Sequence, residues 1–344
     1  MLSLGMEIQD SAQTGIILLP QTVLRFWGIP NVESFKFFQA QLPLRYDNDY
    51  LFVDEYYKLN KMMLDVIGVK NISSIKLENT ADFNKSNVLI DSHILNLSFH
   101  FIGEDKISDV SVVSYASDGY SSLLLSDVRY IEPFLRGVIR SFRLKRKFNP
   151  KVIWHWDDYA KLKKNKLLNF GWDHNFINSD AVSFYAKKFL IKNIHNFQEI
   201  ADFNTDKSTI LIYPPVNLNI EQLFDLLNKQ IAANHAFKRT YTECDQILIK
   251  QHKFCTSDYP ATFNFHSKEI RVAKSINLRV LPIEILLFGF RKVTYVSPPT
   301  TSIFSSSLNF TKIIWGEKIV NPPSGYAGTA GYELMLKRHK TRFT

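Results

Sequence analysis

The sequence predicts an α/β protein made of two Rossmann-like halves, and three observations carry that expectation. The chain has 344 residues, enough for two domains with sizeable cores. Short apolar runs that end in turn residues alternate with amphipathic stretches, the pattern of buried parallel strands joined by helices. The pattern then breaks over residues 167–204, a helical and aromatic stretch, and restarts in NTDKSTILIYPPVNLNIEQLFDLLNKQI. The division is therefore placed at 204, giving an N-terminal domain of residues 1–204 and a C-terminal domain of 205–344.

In the first half, Ile16 to Leu19 reads as a strand, Pro20 as a turn, and the following residues as a helix. No G-x-G-x-x-G follows that strand, so a dinucleotide is not indicated. YLFVDEYYKLNKMMLDVIGV pairs a short strand with an amphipathic helix that ends at Gly68. NVLIDSHILNLSFHF and VSVVSYA are β-rich, and the second leads directly into Ser117-Asp118-Gly119. Asp118 thus falls at a strand end, before a helix expected from about Tyr120. KVIW is a further strand, followed by His155, Asp157 and Asp158, residues expected in core or surface roles.

In the second half, Thr209 to Tyr213 is a strand, the prolines that follow are a turn, and a helix is expected from Asn219. Ile247 to Ile249 is a buried strand that hands over to the polar loop Lys250-Gln251-His252-Lys253. Open α/β sheets bind ligands at such C-terminal strand ends. Pro282 takes a favoured helix-start position with Glu284 in the first turn. Lys292 to Val296 is the next strand, its loop running into Ser305-Ser306-Ser307. Ile313 to Trp315 is a last short strand, and GTAGYELMLKRHK reads as a terminal helix that packs back on the first domain.

Composition narrows the classes. Hydrophobic residues at 45% and charged residues at 22% are those of an ordinary globular chain, which argues against disorder. The two cysteines, Cys244 and Cys255, are too few for a disulfide framework or a cysteine zinc site, and a cytoplasmic location is expected. Glu7 and Asp10 precede the first apolar run, so no secretory signal is read. No apolar run approaches the roughly 18 residues of a membrane-spanning helix. The formal charge of +9 is concentrated: between Arg136 and Lys166 stand eleven Lys or Arg against Asp157 and Asp158. That segment suits an anionic partner such as a membrane surface, and is equally read as a solvated helix face. No nucleic-acid-binding signature accompanies it, so nucleic acid is not expected. Asp47-Asn48-Asp49 is the one metal-like pair, and it reads as a turn.

A histidine, a helix-start glutamate and a serine cluster, all at element ends, make a nucleotide-phosphate site. Histidine and serine donate to phosphate oxygens, and a carboxylate accepts from ribose hydroxyls. Their order resembles the bacterial GT-B sialyltransferases and capsular polysialyltransferases. Those families carry an acidic-acidic-Gly motif, a Lys-x-His-Pro loop, a Pro-x-Glu helix start and a Ser-Ser or Ser-Thr loop. Here the corresponding residues are Ser117-Asp118-Gly119, Lys250-Gln251-His252, Pro282-Ile283-Glu284 and Ser305-Ser306-Ser307. Lys253 stands where the family has proline, and Ser117 where it has its first acid.

The resemblance implies a GT-B fold, two Rossmann-like domains facing a central cleft, and an inverting transferase. Its donor would be a CMP-activated nonulosonic acid such as sialic acid, and its acceptor a capsule, lipooligosaccharide or lipid-linked glycan. Asp118 would be the base, His252 would attend the leaving phosphate, Ser305, Ser306 and Ser307 would bind it, and Glu284 the ribose. No cofactor or metal is implied, because CMP carries a single phosphate. From the residues alone, Asp118 also reads as a helix N-cap and Glu284 as a first-turn acid complementing the helix dipole. The alternatives are another donor (CMP-Kdo or a UDP-hexose) or a polyanion-binding protein without chemistry.

Overall fold

The computed structural model describes residues 13–17, 19–38, 52–69, 72–75, 87–91, 110–113, 152–155, 173–214, 218–253, 255–297 and 311–314. The chain runs through β1 (Gln13–Ile17), α1 (Pro20–Phe26), β2 (Val32–Phe38), α2 (Val53–Val66), β3 (Ile72–Ile75), β4 (Asn87–Asp91), β5 (Val110–Val113), β6 (Val152–His155) and β7 (Asp173–Phe176). These strands form a parallel seven-stranded sheet in the order β3-β2-β1-β4-β5-β6-β7. After α3 (Ser179–Asn193) and two 3₁₀ turns come β8 (Ser208–Ile212), α4 (Ile220–Ala233), α5 (His235–Glu243), β9 (Gln246–Lys250), β10 (Thr262–Phe265), β11 (Lys268–Ala273), α6 (Ile276–Val280), α7 (Ile283–Gly289), β12 (Lys292–Ser297) and β13 (Thr311–Ile314). The second sheet has the order β10-β11-β9-β8-β12-β13, parallel except for β10 on β11.

Both sheets are doubly wound. In each, the first strand lies between later strands laid down on both sides of it, the β10–β11 hairpin closing one edge of the second sheet, so each has a crevice where the winding reverses. Two local expectations are corrected. Residues 167–204 are not wholly helical, because β7 pairs in parallel with β6. Phe52, read as part of a short strand, is the N-cap of α2, while Tyr50 and Leu51 lie outside the described residues.

Alternation along the strands sorts the core. Ile210 and Ile212 of β8, with Ile247 and Ile249 of β9, pack with Leu223, Leu227, Phe237 and Tyr241 of α4 and α5. The intervening Leu211 and Leu248 belong to a second cluster with α6 and α7, which continues through α3 into α1 and α2. Period-two side-chain placement makes this division inevitable once one face is fixed. Helix α4 starts at a full capping box: Asn219 accepts from the Gln222 amide at 2.8 Å, and the Gln222 side chain accepts from the Asn219 amide at 3.0 Å.

Helix α3 joins the two halves. Gly28 lies against Ile177 and Asn178, where an added Cβ would come within 2.4 Å of Ile177. Gly289 of α7 meets buried Leu190 of α3 in the same way, at 2.6 Å. Helices approach this closely only where a side chain is missing. Lys188 donates to the Val66 carbonyl at 3.0 Å and Lys192 pairs with Asp65, fastening α3 to α2. Glu199 accepts from the Lys274 amide at 3.0 Å and the Ser275 amide at 2.5 Å, and so closes the start of α6. Among the described residues no helix is long and apolar enough to cross a membrane.

Candidate functional site

The C-terminal edge of the second sheet carries the sequence-predicted residues Lys250 and His252. Register aligns Ile212 of β8 with Ile249 of β9 and Val296 of β12, so Tyr213, Lys250 and Ser297 follow at one level. The Tyr213 amide donates to the Val296 carbonyl at 2.8 Å, holding the β8 and β12 ends together at the reversal of winding. Doubly wound sheets take ligands at this place.

Lys250 is not a loop residue, as the sequence suggested, but the last residue of β9. It shares the parity of Leu248 and therefore faces α6 and α7, where it is buried. Its Nζ donates to the Arg279 carbonyl at 3.0 Å and lies 5.9 Å from the Tyr213 ring centre. Burial pushes the amine down to about 7, with Glu284 opposing the shift and Arg279 and Lys253 adding to it. Glu284 sits in the first turn of α7 and is half-buried. Burial raises its carboxyl above the usual range, while Arg25 of α1 and Lys250 pull it back. A carboxyl and an amine, both pressed toward their neutral forms, thus stand together behind the sheet edge.

His252 follows two residues after β9. Its ring is edge-on to Tyr213, with centroids 6.2 Å apart. The turn that carries it closes on a bond from the Cys255 amide to the His252 carbonyl at 2.9 Å. Gln251, also buried, donates to the Ser257 carbonyl at 2.9 Å. Lys253 reaches the other way, donating to the buried Tyr56 hydroxyl of α2 at 2.8 Å with its Nζ 5.3 Å from that ring centre. The loop after β9 is therefore bonded to the first half of the chain.

The structure brings Lys250, His252, Pro282 and Glu284 to one region, with Pro282 as the N-cap of α7. Asp118, the Ser305-Ser306-Ser307 loop, the Asp47-Asn48-Asp49 pair and the terminal helix lie outside the described residues, as does the basic segment apart from Val152–His155. Among the described residues no cluster of His, Cys, Asp and Glu could hold a metal ion. Sequence reasoning missed Tyr213, Tyr56 and Arg279. A tyrosine directly before two prolines at a strand end was a usable signal for the first. Nothing in the sequence marks the other two.

No protein-family model matches the chain, and no curated protein matches it. Among solved structures it is similar to an alpha/beta-galactoside alpha-2,3-sialyltransferase from the luminous marine bacterium Photobacterium phosphoreum. That similarity covers 95% of each chain at 12% identity, with a TM-score of 0.48.

Proposed function

We propose that the chain is an inverting glycosyltransferase that moves sialic acid or a related nonulosonic acid from a CMP-activated donor to a cell-surface glycan. The observation that carries the reading is the packing of His252 on Tyr213 at the C-terminal edge of a doubly wound sheet, where its winding reverses, with Glu284 near enough to act on the Lys250 amine at that edge. The motif order supports the choice of donor.

Transfer from such a donor needs a proton removed from the acceptor hydroxyl, an oxocarbenium-like centre stabilised, and the charge on the departing phosphate met. His252 meets the phosphate as a hydrogen-bond donor, and as a proton source when it carries charge. Ser305, Ser306 and Ser307 supply further donors, and Glu284 accepts from the ribose. Asp118 takes the acceptor proton. A single leaving phosphate offers no second one for a metal to bridge, so the proposed reaction runs without metal. In this reading the two Rossmann-like halves face a common cleft, acceptor on residues 1–204 and donor on 205–344, and the Arg136–Lys166 segment rests on an anionic membrane surface.

Calorimetry against CMP, UMP and AMP tests the donor site. CMP is expected to bind and to raise the melting temperature, and a response to UMP alone would replace the reading with a UDP-sugar enzyme. CMP release from CMP-N-acetylneuraminate in the presence of a glycan acceptor then tests the reaction, and no release from any CMP-nonulosonate would overturn it.

A further inference from the structure

The described residues of the loop that carries His252 form no helix or strand, yet one side chain from a neighbouring helix gathers them. Arg279 of α6 directs Nη2 to the Lys253 carbonyl at 2.7 Å and the Cys255 carbonyl at 2.6 Å, with the His252 carbonyl at 3.5 Å. Charge-assisted bonds of this length are the strong ones. The Arg279 backbone carbonyl in turn accepts from Lys250, so the same residue holds the end of β9 and the turn beyond it. Its Nε is buried and finds no partner among the described residues. A buried donor left unmet is costly, yet the guanidinium is committed through Nη2 to the loop.

We propose that Arg279 is the positioning residue of the His252 loop, fixing the imidazole where it meets the donor phosphate. The assignment rests on the nucleotide reading of that loop. Arg279 binds no substrate itself: it acts through three backbone carbonyls. A loop of free carbonyls would sample many arrangements, and affinity falls in proportion to the fraction of time the competent one is populated.

The test uses Arg279→Met, which keeps much of the apolar stem, and Arg279→Lys, which keeps the charge but loses the fork. Cys255 lies within the clamped turn, and Cys244 lies two residues before the start of β9, at the other end of that strand. Both are free and buried. Thiol labelling followed by mass spectrometry is expected to speed up at Cys255 and not at Cys244 in Arg279→Met, with Arg279→Lys between it and wild type. CMP affinity is expected to fall about tenfold if the competent loop drops to about a tenth of the population. The penalty of His252→Ala should then shrink in the Arg279→Met background by about the factor that Arg279→Met itself costs, about tenfold, because both changes remove the same contact. Equal labelling of both cysteines, or fully additive penalties, would make Arg279 a general support of the fold and overturn the proposal. If Arg279→Met does not fold, the same measurements on Arg279→Lys decide. Wild-type protein that binds no CMP, with Cys255 labelling still responding, would uphold the clamp and remove the donor reading alone.

Discussion

Replacing Lys250 by methionine should change stability in a way that depends on pH, and the size follows from the burial of its amine. The folded protein holds Lys250 at about 7, whereas in an unfolded chain a lysine titrates at about 10.4. Between those values the unfolded chain carries a proton that the folded protein lacks, so wild-type stability rises with pH across that window. Below about pH 7 both states carry the proton and the full cost of burying it is present. Each pH unit within the window is worth about 1.4 kcal/mol, so about 3 kcal/mol separates pH 7 from pH 9.5. Methionine matches the length of the aliphatic stem and carries no charge, but leaves the Arg279 carbonyl without its donor, a fixed cost of about 1–3 kcal/mol. Whatever the sign of the difference at pH 7, the Lys250→Met variant should lose ground to wild type steadily as pH rises. Urea unfolding of both proteins at half-unit steps from pH 7 to 9.5 reads this directly. Stability curves that run parallel would mean that Lys250 keeps its proton throughout, and the placement of its amine against α6 would be wrong.

Other expectations are smaller or test other links. Asp118→Asn should lower turnover by about 10²–10⁴ while CMP affinity stays within a few-fold, as expected for loss of a general base; steady-state kinetics and calorimetry separate the two. Gly289→Ala should destabilise by about 1–3 kcal/mol, the usual cost of overpacking, since its Cβ would fall 2.6 Å from Leu190; thermal unfolding measures it. Asn219→Ala should cost about 1 kcal/mol by removing the capping box, and Asn219→Ser should recover most of it. Tyr56→Phe should cost about 1 kcal/mol and be non-additive with Lys253→Met, the mark of their shared bond across the two halves.

What was legible in the sequence were segments whose local signal agrees with their place in the fold. ILI of β9 and VTYV of β12 are runs of aliphatic, aromatic and β-branched residues because central parallel strands are covered on both faces. Helix α4 announced itself through Asn219 and the apolar period behind it. β2 was hidden because Glu33, Ser34 and Lys36 interrupt its apolar residues. β7, DHNF, has no strand composition and is held by its backbone ladder to β6. The β10–β11 hairpin turns on His266 and Ser267, both at positive φ (44° and 63°), where the usual cue is Asn-Gly. No residue preference foretells that turn.

The site was legible to the same degree and for the same reason. His252 and Glu284 could be singled out as candidates because the ends of strands and the starts of helices carry recognisable residues in recognisable order. Arg279 could not, because what it does depends on α6 standing beside a loop some 25 residues earlier in the chain. Lys250 marks the boundary between the two cases. Its type and position were read, and its environment was misjudged, because a lysine following three aliphatic residues looks like the first residue of a polar loop. The alternation of β9 already contained the correction: Ile247 and Ile249 face α4 and α5, so Leu248 and Lys250 must face α6 and α7. A lysine at the last inward position of a central strand has no route to water. It must therefore find a carbonyl, lose its proton near neutral pH, or draw a carboxylate toward it, and in this structure Arg279 and Glu284 are placed where those demands fall.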